Sequence, residues 1–109
     1  MNSPMNLKFV CVSDSISSIQ QHIIEIIHNL LQHVTITENQ HSIHIIDERM
    51  NTQLIAITLS TDDANRVDGL YNIYVHFTST ENMLCIRVYH LIYKEISQKK
   101  ELYVRQIQM

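Results

Sequence analysis

The sequence predicts an α+β fold, with one amphipathic helix packed on a mostly antiparallel, twisted sheet in the order β-α-β-β-β-β-β. Three observations predict it. Apolar residues recur at spacings of three and four from Ile16 to Leu31, the period of a helix lying on a core. From Val34 onward the apolar period switches to two, the signature of strands with one face buried. The breaks between those runs are too short for crossover helices, so neighbouring strands run antiparallel. Helices gathered on one side of such a sheet make a two-layer α+β body.

The elements follow in chain order. Leu7 to Val12 is apolar on both alternating sets apart from Lys8, which suits a strand covered on both faces. Asp14 or Ser15 offers the oxygen that caps a helix, and Ile16, Ile19, Ile23, Ile26, Ile27, Leu30 and Leu31 form its buried stripe. Val34 with Ile36, Ile43 with Ile45, and Ile55 with Ile57 and Leu59 mark three short strands. The polar clusters Glu38 to His41 and Glu48 to Thr52 separate them. A longer acidic loop, Thr61 to Gly69, follows, and its end holds the only glycine in the chain. Leu70 to Thr78 and Met83 to Tyr93 then alternate as a long hairpin closed by Ser79 to Asn82. The tail, Lys94 to Met109, reads as strand or helix, with the alternation of Leu102, Val104 and Gln106 favouring an edge strand.

Length and composition bound the function. A chain of 109 residues fits one domain, residues 1–109, and 45% hydrophobic against 17% charged residues provides for a packed core. One glycine and one proline stand where a chain of this length carries roughly seven or eight glycines. Phosphate-cradling loops, nucleophile elbows and dinucleotide turns need glycine where backbone meets ligand, so none of them can be built here. A net charge of −3 gives no general attraction to nucleic acid or anionic membranes, which makes nucleic acid an unlikely partner. Two cysteines, Cys11 and Cys85, supply no disulfide framework, and no apolar run reads as a signal peptide or membrane span. A cytoplasmic protein is expected. Isoleucine outnumbers leucine about two to one and alanine is scarce, a bias of AT-rich coding sequence typical of a low-GC microbe, phage or virus.

In the simplest register of the long hairpin, His76 faces Cys85, Tyr74 faces Arg87 and Asn72 faces Tyr89. Tyr74, His76, Arg87, Tyr89 and Tyr93 then share one face, continued by His44, Ile46, Leu54 and Ala56 on the preceding strands. Tyrosine and arginine present large area with a polar end that is satisfied once water leaves, as binding surfaces require. The expectation is therefore a non-enzymatic protein-binding module, most simply an inhibitor of another protein of the toxin-neutralising or counter-defence type. The plainer alternative is a solvated sheet face with stabilising cross-strand pairs. Two other readings compete: a small-ligand domain or enzyme using His76 with Cys85 or His90, and a chaperone-like homodimer.

No cofactor and no metal is expected. His22, Glu25 and His28 share a helix face, but a carboxylate-bridged metal centre needs a second such helix. His41 and His44 fall on opposite faces of a strand. Asp62, Asp63, Asn65 and Asp68 depart from the alternation of a calcium loop. Lys94, Lys99, Lys100 and Arg105 make the tail basic, with only Tyr93 and Tyr103 beside them to stack on bases.

Overall fold

The computed structural model describes residues 5–61, 69–98 and 103–106, the last four as backbone. Eight elements run in the order β1 (Met5–Ser13), α1 (Ile16–Leu30), β2 (Val34–Glu38), β3 (Ser42–Asp47), β4 (Gln53–Thr61), β5 (Tyr71–Ser79), α2 (Asn82–Ser97) and β6 (Tyr103–Gln106). The strands form one six-stranded sheet, β2-β3-β4-β5-β1-β6, in which every neighbouring pair is antiparallel. Both helices contribute to a single core cluster on one side of it. The expected α+β class is thus the observed one, with two helices in place of one.

Helix α1 forms as its periodicity predicts. Ser15 takes an extended backbone and its hydroxyl accepts the Ser18 N–H at 3.1 Å, satisfying one of the amides that a helix start leaves open. Ile19, Ile23, Ile26 and Ile27 are buried under it. Ser15→Ala is expected to cost about 1 kcal/mol, seen as a lower urea midpoint at unchanged slope.

The second helix corrects the expected hairpin. Met83 to Tyr93 is not a strand but the body of α2. Its inner side is Cys85, Val88, Tyr89, Ile92 and Ile96, spaced three and four apart and all buried, while Met83, Arg87, His90 and Lys94 lie exposed along the outer side. β-Branched Ile86, Val88 and Ile92 carry strand propensity, but burial of this stripe on the sheet outweighs it. The tail past the helix does return as an edge strand. β6 pairs with β1 through Val10↔Arg105 and Cys11↔Val104.

One side of the sheet supplies Phe9, Cys11, Ile43, Ile45, Ile55, Ile57, Ile73, Val75 and Phe77 to the core. Phe9, Phe77, Tyr89 and Tyr93 meet there as an aromatic group with centroid separations between 5.3 and 6.4 Å. Among the described residues the other side carries no helix. Gly69 has φ 78°, in the left-handed region open to glycine, and fits the turn expected at the end of the acidic loop. The loop's Asp62, Asp63, Asn65 and Asp68, like Lys99 and Lys100, lie outside the described residues.

Candidate functional site

Strand alternation and register set the uncovered face. Lys8 pairs with His76, which pairs in turn with Thr58, and Thr58 with Ser42. Beside that row Val10 pairs with Tyr74 and Tyr74 with Ser60, while on its other flank Asn6, Thr78, Ala56 and His44 pair in sequence. Val10 is only 3% exposed although no helix covers it. His76 Nε2 lies 3.1 Å from Asn6 Oδ1, and His44 Nδ1 lies 2.8 Å from Gln53 Oε1, so both imidazoles are oriented by neighbours. Desolvation, with Lys8 nearby as the smaller cause, pushes His76 below the usual histidine range and keeps it neutral near pH 7.

The five residues expected to share one face are split by α2. Tyr74 and His76 stand on the uncovered face, as expected. Arg87 is exposed on the outer side of α2, beyond the opposite face of the sheet. Tyr89 is 4% exposed in the core, and its hydroxyl donates to Lys8 O at 2.6 Å. Burial, and then the neighbouring Tyr93, raises the Tyr89 phenol. Tyr93 is half-buried with its ring against Phe9 and Tyr89. The expected pairs of His76 with Cys85 and Tyr74 with Arg87 do not form, because a helix carries Cys85 and Arg87 to the other side of the sheet.

That placement dissolves the one nucleophile candidate. Cys85 sits in the core with its thiol raised by burial, and Cys11 is pushed up to about 12 by the same cause. A thiolate needs the reverse. His90 is exposed on α2, with its ring edge-on to Tyr89. Among the described residues no three His, Cys, Asp or Glu side chains come together as metal ligands.

A second feature gave no motif in the sequence. At one end of the molecule a cleft of about 280 Å³ opens between the C-terminus of α1, the start of β2 and the first turn of α2. Leu31, Val34, Leu54 and Leu84 line it, with His33 and Arg49 at its polar side. Leu54 was expected on the uncovered face. The register slip between Ile45 and Ile46, where Ile45 pairs with Ile55 but Ile46 with Gln53, takes Leu54 out of alternation and lets it pack against the core. The same leucine lines a separate, smaller hollow of about 180 Å³ with Gln53, Thr78, Ser79 and Thr80.

The cleft walls are fixed from several directions. His33 holds φ 60°, unusual outside glycine, and its carbonyl accepts the Glu48 N–H at 3.0 Å. Asp47 Oδ1 accepts the amides of Arg49 and Met50 at 2.8 and 3.4 Å. The Ser79 hydroxyl donates to Leu54 O at 2.6 Å and accepts the Glu81 N–H at 2.8 Å, tying the start of α2 to β4. Met50 and Met83, chain neighbours of Arg49 and Leu84, are 71% and 82% exposed. A methionine inside a polar turn and another before an apolar helix stripe were the only traces of this site in the sequence.

No family model matches the chain, and no match is found among curated proteins. Among the described residues no helix is long and apolar enough to cross a membrane.

Proposed function

We propose that this chain is a non-enzymatic protein-binding module that works through the uncovered face of its sheet. One observation carries the reading: among the described residues a whole face of a six-stranded sheet is left without a helix, and it carries apolar side chains between its polar ones. Its strands bring the half-buried Val12, Ala56, Ile46 and Tyr74 among Thr, Ser, Asn and His residues. Six strands at about 4.8 Å spacing and four to nine residues at about 3.3 Å each give a face on the order of 700 Å². A standard interface takes about 800 Å² from each partner.

Charge narrows the partner. Lys8 is the one formal charge on the described side chains of this face, and no carboxylate stands there. Two copies laid face to face bring like charges together. Lys8, with Arg105 paired to Val10 on the edge strand, also makes too few phosphate contacts for nucleic acid. A different protein fits better than either. In its sharper form the reading is an intracellular inhibitor that covers a partner's working surface, for which a rigid body without glycine hinges is suited because little order is lost on binding.

The test is retention of a partner from native lysate by the full chain and by the double variant Thr58→Lys with Tyr74→Ala. One protein held at fixed ratio by the wild type and lost at least tenfold by the variant is the expected result. Arg87→Glu, on the outer side of α2, is expected to leave retention unchanged. Equal retention by the double variant would remove the uncovered face from the function.

A further inference from the structure

We propose that the cleft between α1, β2 and α2 receives an apolar side chain of the partner protein, one with a carboxylate beside it. The inference rests on the protein-binding reading and adds an anchor to it. Four apolar side chains, Leu31, Val34, Leu54 and Leu84, face an open space of about 280 Å³, below the roughly 300–1,000 Å³ of pockets that enclose small molecules. The size suits a single inserted side chain. Met50 and Met83, chain neighbours of the lining residues Arg49 and Leu84, are exposed, and methionine is the unbranched residue that adapts to a shape entering from outside. Large apolar anchors in such clefts dominate binding energy while the surrounding contacts exclude water.

Charge complementarity sets the second part of the partner's chemistry. Arg49 makes no ion pair among the described residues, and His33 stands beside it at the same side of the cleft. Asp47 also lines the cleft, its Oδ1 accepting the Arg49 and Met50 amides. Glu48 and Glu81 flank the site in sequence without lining it. A guanidinium without a partner at the mouth of an apolar cleft favours a carboxylate next to the inserted group. Thr78, which lines the neighbouring hollow with Leu54, pairs with Ala56 on the uncovered face, so the cleft lies beside that face.

The experiment is methyl NMR on the full chain, titrated with N-acetylphenylalanine and separately with its uncharged amide. Saturable shifts of the Leu54, Leu84, Met50 and Met83 methyl signals are expected with both probes. The carboxylate form should bind roughly fivefold tighter, the scale of one exposed charged contact. Arg49→Gln, a change on the surface, should abolish that difference while leaving the amide's binding as it was. Absence of saturable shifts up to the probe's solubility limit overturns the anchor, as do shifts confined to Val10, Val12 and Ala56. Equal binding of the two probes overturns the carboxylate preference. None of these outcomes touches the lysate test with Thr58→Lys and Tyr74→Ala, so the anchor can fail while the protein-binding reading stands, and the reverse.

Discussion

Iodoacetamide at pH 8 is expected to alkylate Cys11 roughly three orders of magnitude more slowly than a free thiol, because a pKa near 12 in place of 9.0 removes that fraction of thiolate. Cys85, fully buried on the inner side of α2, is expected to resist as well. Mass spectrometry of native and urea-unfolded protein, sampled over the same interval, reads the difference directly. Fast modification of Cys85 in the native state would show a stabilised thiolate and restore a nucleophile to the molecule. The same shift has a signature in stability. Below the unfolded value of 9.0 both states keep the proton, so Cys11 contributes nothing to the pH dependence. Above it the unfolded chain ionises while the native thiol does not, and stability falls by about 1.4 kcal/mol per pH unit until the native value is reached.

Phe77→Ala is expected to cost about 3–5 kcal/mol, a large part of the roughly 5–15 kcal/mol that a domain of this kind possesses. Phe77 is fully buried, in contact with Phe9 at 5.9 Å and edge-on to Tyr89 at 5.3 Å. It joins the central strand β5 to α2, so its removal opens a cavity where the two layers meet. Urea unfolding with unchanged slope and a sharply lower midpoint is the expected observation. A loss below about 1 kcal/mol would mean that the core collapses around the gap and that the aromatic group is not the joint between layers.

The contrast between α1 and α2 shows what could be read from sequence. Helix α1 places polar residues between its isoleucines in a way no strand tolerates, and Ser15 marks its start, so period and cap agree. In α2 the two periods overlap. Leu84, Ile86 and Val88 alternate as a strand would, while Cys85, Val88, Tyr89, Ile92 and Ile96 repeat as a helix would. No side chain caps α2 and no acid lies in its first turn, so local chemistry left the choice to tertiary burial. His90, falling where a strand wants an apolar residue and a helix wants a polar one, was the discriminating signal.

The site followed the fate of that helix. Tyr74 and His76 were legible because β5 alternates cleanly, and their face needed no distant information. Arg87, Tyr89 and Tyr93 were placed with them only through the mistaken hairpin. The cleft was out of reach for a different reason. Its walls come from α1, β2, the turn after β3, β4 and α2, and Leu54 joins them only through a register slip. Residues that far apart in the chain carry no common period.

Strand β1 sits between β5 and β6, inside the sheet, although it is the first element made. Its nearest partner begins at Tyr71, 58 residues after Ser13 (71 − 13). At roughly 5–20 residues per second on the ribosome, Phe9, Val10 and Cys11 wait some 3–12 seconds for a neighbour. During that interval an apolar strand with both edges open is available to any other chain. Closing the sheet around β1 is therefore a pairing of high sequence separation, made only once β5 exists.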